Sequence, residues 1–339
     1  MKRWYLGGVL LVVLFLFALV RAGCSYGDEK AAVQADGFAV ENYDSALRPH
    51  VYHYRKHPQR IVALWQNSIE TLLALGAVDR IIVAGGLSGI DVLAPENVPL
   101  YEKIPVRLRQ VPDVETMLTL QPDLIVGWLF DFTRQGNGIG RSDFWEKRGT
   151  NVYMTTMNGA DFKDVHTLED ELKFIRDLGT IVDQEERAEQ LEQEIRAEMK
   201  PITAEKPPRV LVVSSAARQL TIYTPRTLSG DILARLGTEV LGADRQMVGE
   251  DEFISYEQLL LLDPDLIFVQ SASPQDQSPR ERLSANPALR RLRAVQEGRI
   301  YCVPFYLLRC PGVRVLDTIR CFKQGLSGEN AARSEGGAA

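Results

Sequence analysis

The chain has 339 residues, 45% hydrophobic and 25% charged, a composition that excludes disordered and collagen-like classes and leaves room for two ordinary domains. Its formal net charge of -6 argues against a nucleic-acid surface, and the densest positive cluster, Arg290, Arg291, Arg293 and Arg299, falls among leucines as the solvated face of a helix would. No GxSxG, HExxH, phosphate-loop or GxGxxG signature points to an enzyme.

In chain order, Lys2 and Arg3 precede an apolar run from Leu6 to Val20, followed by Ala22, Gly23, Cys24 and the polar "SYGDEK". This is the layout of a secretory signal over residues 1–23, and the run is shorter than the roughly 20 residues of a full span. It resembles a bacterial lipobox, which implies acylation of Cys24 and an extracytoplasmic protein anchored to the membrane; Arg21 departs from the apolar residue usual there. Cys302, Cys310 and Cys321 then leave at most one disulfide and a spare thiol.

Residues 24–57 read as a lipid-anchored tether and an edge segment. Within them His50, His53 and His57 precede a strand rather than lining a helix face, so the spacing suits a solvated edge better than a metal site. A first α/β lobe spans 58–160: "RIVAL" is a buried strand, "NSIETLLALG" a helix capped by Asn67 or Ser68 and ended by Gly76, and "RIIVAGG" a second strand. "VETMLTLQPDLIVGW" is a helix stopped by proline before a strand, and "NVYMTT" is a further strand. Val165, Leu168, Leu172, Ile175 and Leu178 recur at steps of three or four, predicting one long helix over 161–182 with His166 on its surface. The second lobe, 183–325, opens with the amphipathic "QEERAEQLEQEIRAEMKPI" and the linker "TAEKPP". It then repeats the first texture: "RVLVVSS", "TLSGDILARLGTEVLG", "YEQLLLLDPDLIFVQ", "RIYCVP" and a terminal helix from about Gly312 to Lys323, with 326–339 as a disordered tail.

One phrase occurs twice. Aligning Val114–Val126 with Tyr256–Phe268 gives seven identities in thirteen positions: a Glu, two Leu, the Pro-Asp pair and the Leu-Ile after it. The fold this predicts is α/β, with two Rossmann-like lobes joined by a single long rigid helix and a ligand cleft between them. Glu115 and Glu257 lie in the first turns of the repeated helices, beyond the N-caps Asp113 and Ser255, where the helix dipole favours a carboxylate by about 0.3–1 kcal/mol. The repeat adds a second reading: one acid on each equivalent lobe suits a symmetric basic partner.

Together, "PQRIVALWQNSIETLLALGAVDRII", "VETMLTLQPDLIVGW", the long central helix, "ISYEQLLLLDPDLIFVQ" and "NPALRRLRAVQEGRIYCVP" resemble, in order over roughly residues 55–325, the substrate-binding lipoproteins of ABC importers for ferric siderophores, haem and cobalamin. The resemblance implies a monomer without resident cofactor or catalysis, delivering its ligand to a permease dimer with a cytoplasmic ATPase. Glu115 and Glu257 match the family's paired glutamates that meet arginines on the two permease subunits. The cleft loops place Trp65, Gln66, Arg107, Arg109, Trp128 and Phe130 in the first lobe, and Tyr223, Phe305, Tyr306 and Arg309 in the second. Flat aromatic surface with arginines for carboxylates favours a bulky anionic chelate over a bare ion. The rivals are a zinc- or manganese-binding lipoprotein, which would distribute histidines over both lobes where the second has none, and a lipid-anchored sensory domain of the same fold.

Overall fold

The computed structural model describes residues 37–87, 89–133, 138–155, 165–216, 219–242, 253–309 and 311–328. Two strands, β1 (Phe38–Tyr43) and β2 (Pro49–Tyr54), form a small sheet within residues 24–57; β1 lies in the part expected to be tether, and β2 coincides with the expected edge segment. The inward positions of β1 explain both its order and its weak signature. Val40 is buried beside Asn42, whose amide exchanges hydrogen bonds with the backbone of Met154, so a polar residue takes a place where hydrophobic alternation would be sought.

The first lobe is a five-stranded parallel sheet in the order β5-β4-β3-β6-β7, built from β3 (Ile61–Leu64), β4 (Ile81–Gly85), β5 (Val106–Arg107), β6 (Leu124–Trp128) and β7 (Asn151–Thr155). The central strands are unbroken apolar runs because both faces are covered. Helix α1 (Trp65–Ala74) follows β3 without a loop. The expected caps Asn67 and Ser68 are therefore buried inside the helix, and its first position is Trp65 itself. Four shorter helices complete the lobe: α2 (Val98–Tyr101), α3 (Val114–Leu120), α4 (Leu129–Thr133) and α5 (Ser142–Glu146).

The connecting helix α6 (Leu168–Ile181) is shorter than expected at its N-terminus. The Asp170 carboxylate accepts from the Thr167 N–H at 2.8 Å and the Thr167 hydroxyl at 2.9 Å, which starts the helix at Leu168; residues 156–164 lie outside the described ones. His166, expected on the surface, is buried. Its N–H donates to the Arg226 carbonyl of the second lobe, and its Nε2 lies 2.7 Å from Glu171 Oε1. A second helix, α7 (Glu185–Glu198), packs along α6.

The second lobe orders its strands β11-β9-β8-β12-β13, with β10 also on β8. These are β8 (Arg209–Ala216), β9 (Gln219–Ile222), β10 (Glu239–Val240), β11 (Phe253–Ile254), β12 (Leu266–Ser271) and β13 (Ile300–Pro304). β8, β12 and β13 run parallel, whereas β9 is antiparallel to β8 and β11. Among the described residues its helices are α8 (Leu228–Arg235), α9 (Tyr256–Leu262), α10 (Ser278–Ala285), α11 (Arg293–Gln296), α12 (Phe305–Leu308) and α13 (Val315–Ser327). Of the arginine cluster read as a solvated helix face, Arg290, Arg291 and Arg293 are exposed, and Arg293, which begins α11, also pairs with Asp263 and Asp265 at 2.8 and 2.6 Å. Cys302 and Cys321 are free thiols, and burial pushes both up, Cys321 to about 12; Cys310 is outside the described residues.

The repeated phrase is the same device in both lobes. Gln121 and Asp263 end α3 and α9 in the left-handed region, at φ 46° and 38°. The following aspartates then hold the entry of the neighbouring central strand: Asp123 accepts from the Gln59 and Arg60 N–H groups at 2.8 Å, and Asp265 from the Arg209 N–H at 2.8 Å. Arg60 and Arg209 close each unit by donating to carbonyls at the end of the repeated helix.

Candidate functional site at the carboxyl ends of the strands

In the first lobe the carboxyl ends of β3 and β6 and the helix starts that follow them directly build an aromatic shelf. Trp65 and Trp128 stack with ring centroids 4.7 Å apart, and Phe130 lies 5.7 and 5.3 Å from them. All three rings are half-buried. Trp65 has φ 68°, a left-handed conformation that costs a non-glycine residue about 1–3 kcal/mol. What holds it is Asp131, a buried carboxylate absent from the sequence-derived set. One of its oxygens accepts from the Trp65 indole at 2.7 Å and from the Trp128 backbone N–H at 2.8 Å, while the Trp128 indole donates to Asn67 at 3.0 Å. Gly86, at φ 83°, passes so close beneath that a Cβ there would lie 3.0 Å from the Trp65 ring.

Gln66 is not part of the shelf. It is buried, and its amide donates to Glu70, a fully buried carboxylate that also accepts from the Ala94 N–H at 2.7 Å, Asn97 at 2.9 Å and Arg314 at 3.0 Å. Arg107 turns back to donate to the Glu102 carbonyl at 2.9 Å, with its guanidinium 6.0 Å from the Tyr101 ring; Arg109 is exposed.

In the second lobe Phe305 is exposed at the start of α12 and packs edge-on against the buried Tyr306. The exposed Arg309 guanidinium lies 5.7 Å from the ring of Tyr223, whose hydroxyl donates to Gln270. Burial pushes the Tyr223 and Tyr306 phenols up, with Arg309 and Arg314 opposing, so both remain neutral hydrogen-bonding groups near pH 7. Gln66, Glu70, Arg314 and Tyr306 thus run as one chain of contacts between the two sets of loops.

The acids of the repeated phrase lie elsewhere. Asp113 accepts from the Thr116 N–H and Ser255 from the Gln258 N–H, as the sequence predicts for N-caps. Glu115 and Glu257 are both exposed, and the Ser255 hydroxyl beside Glu257 holds its carboxyl below the usual range.

Two α/β lobes, a connecting helix, and aromatic and cationic groups gathered on the strand-end loops define a two-lobed α/β binding protein. The periplasmic binding protein family matches residues 61–307, and the chain belongs to it. It is similar to a periplasmic binding protein from Veillonella parvula at 29% identity, covering 87% of this chain and 94% of that one with a TM-score of 0.75. A Bacillus subtilis lipoprotein, YhfQ, provisionally named as an ABC transporter substrate-binding protein, is 26% identical over 87% of this chain and 90% of its own. The iron-uptake system-binding protein of Bacillus subtilis is 22% identical over 86% and 89% of the two chains.

Proposed function

We propose that the protein is the extracytoplasmic substrate-binding component of an ABC importer, held at the membrane by acylated Cys24, and that it carries an iron chelate to a permease dimer served by a cytoplasmic ATPase. The single observation that carries the ligand class is the Trp65–Trp128–Phe130 shelf, held by Asp131 and complemented on the second lobe by exposed Phe305 and Arg309. Indole faces bind extended conjugated or apolar surface, and a guanidinium binds carboxylates or the net negative charge of a ferric complex. A bare divalent ion needs converging oxygen, nitrogen or sulfur ligands instead. The similarity to the iron-uptake system-binding protein favours iron among the possible metals. The protein does no chemistry on its cargo. Glu115 and Glu257 dock it on the permease, one acid for each half.

Thermal unfolding of the soluble chain from residue 25 tests this against ferric hydroxamates, ferric catecholates, ferric citrate, haemin, cobalamin, zinc and manganese. Ligand at 100 times its Kd stabilises by about 2.7 kcal/mol, so a ferric chelate that fits gives a clear upward shift in Tm. A shift with zinc or manganese alone refutes the chelate reading and leaves the metal-binding lipoprotein; silence from every compound leaves the sensory domain.

A further inference from the structure

The two exposed acids do not stand alone. Leu261, 77% exposed, has the largest exposed fraction of the large hydrophobic side chains among the described residues; it lies four residues after Glu257 and therefore on the same face of α9. In the first lobe the position matching Leu261 is Thr119; the exposed leucine there is Leu118, 39% exposed and three residues after Glu115, whose own match in α9, Leu260, packs against the core. The buried sides of both helices are already supplied, by Met117 in α3 and by Leu259 and Leu262 in α9. The fold does not require either exposed leucine. Scattered apolar residues are ordinary on a surface, but a leucine as exposed as Leu261, one turn from an exposed acid on the same helix, makes a mixed acidic and apolar patch, and α3 carries a smaller one at a neighbouring position.

We infer that Glu257 and Leu261 form one docking unit on the second lobe, with Leu261 as its apolar anchor. This rests on the reading of Glu115 and Glu257 as permease contacts. The partner surface then presents a cation to each acid and, on the second lobe, an apolar socket about one helical turn from it. An anionic lipid surface is a poorer occupant, because Glu257 would be repelled where Leu261 inserts. The charged and apolar parts have different signatures: rim charges set the encounter rate and the salt dependence, while a desolvated apolar anchor sets the dissociation rate.

The experiment uses the full-length protein in membranes of its own host, with a photo-crosslinking amino acid at position 115, 257, 261 or, as a control, 282, and identification of adducts by mass spectrometry. The expected result is an adduct from positions 257 and 261 with a polytopic membrane subunit that co-purifies with an ATP-binding subunit, and none from 282. An adduct at 115 and 257 but not at 261 overturns the leucine inference and leaves the acid reading intact. Absence of such an adduct at 115 and 257 overturns the acid reading, and a lipid adduct at 261 assigns the leucine to the membrane. With the identified complex in detergent, Leu261→Ala weakens binding about tenfold at every salt concentration by accelerating dissociation. Glu257→Gln instead lowers the association rate and flattens its salt dependence. An unchanged dissociation rate for Leu261→Ala refutes the anchor. Chelate binding by Leu261→Ala stays as in the parent, which shows that the variant is folded.

Discussion

Asp131 decides the shape of the aromatic shelf while facing no ligand itself. Two donors, the Trp65 indole and the Trp128 N–H, converge on one of its oxygens, and Asp131→Ala leaves both without that acceptor in a half-buried setting. A hydrogen bond to a charged group is worth about 1.5–3 kcal/mol, so the variant should lose stability on that scale in denaturant unfolding and lose chelate affinity by more than tenfold in titration, with a shifted tryptophan emission reporting the released indole. Gly86→Ala should act from beneath: at φ 83° a side chain is strained, and its Cβ reaches the ring, so affinity falls although no polar group is removed. The aromatic residues were legible from sequence because they cluster after buried strands. Asp131 was present in the same short stretch, "WLFDF", but an acid between aromatic residues has no motif, and only the left-handed turn of Trp65 brings the indole onto it. Gln66 turns inward to Glu70, and Arg107, though exposed, gives one guanidinium nitrogen to local carbonyls, neither of which a strand-end position reveals.

At the scale of elements, the two parallel cores were readable because strands covered on both faces become continuous apolar runs. β1 is not, because Asn42 occupies an inward position, whereas β2 falls where the sequence predicts a solvated edge; the start of α6 is placed early because Val165 continues an apolar spacing that the Thr167–Asp170 cap ends. The helices α6, α7 and α8 are tied by a surface network in which Arg196 reaches both Glu169 and Glu192, and Arg235 reaches Glu169. Hydrogen bonding from Arg196 holds the Glu169 carboxyl below its usual range, and Lys323 does the same for Glu198 on α7. At Glu192 burial opposes the shift, but Arg176 and Arg196 outweigh it. A carboxyl lowered on folding contributes stability that is whole above its unfolded value, about pH 4.3, and is lost as pH falls through the lower folded value. The pairs are partly solvated, so each contributes at most about 1 kcal/mol. Urea unfolding should therefore show a stability loss below about pH 4 that is shallower in Arg196→Ala, and an equal acid slope in both proteins would remove the network from the account.

For the molecule as a whole, the question is how far the lobes move when ligand enters, and the described contacts predict a small movement. The sequence reading placed that rigidity in one helix. The structure adds a second connection from the segment after α12. The Gly312 N–H donates to Glu171 of α6 at 2.6 Å, the Val313 N–H to Thr71 of α1 at 3.1 Å, and Arg314 to Glu70 of α1 at 3.0 Å. Gly312, at φ 61°, fits only because it lacks a Cβ, which would overlap the Thr71 hydroxyl. None of this was visible in "PGVRVLDTI", since a short arginine-bearing turn carries no sign that its partner lies 244 residues away. Two connections at different places resist rotation about either one. Small-angle scattering with and without a binding chelate should accordingly give radii of gyration within about 1 Å, the scale of movement in pre-organised complexes. Arg314→Ala tests the cause. It leaves the fully buried Glu70 carboxylate without its cation, although Gln66, Asn97 and the Ala94 N–H still donate to it, which costs up to about 3–5 kcal/mol, and it removes one of the three ties. Arg314→Met with Glu70→Gln keeps the volume without a buried charge and recovers much of the stability. If the double variant is stable yet shows a larger ligand-dependent change in radius than the parent, the ion pair sets the lobe angle; if its radius change matches the parent's, the rigidity belongs to α6 and the backbone bonds of Gly312 and Val313 alone.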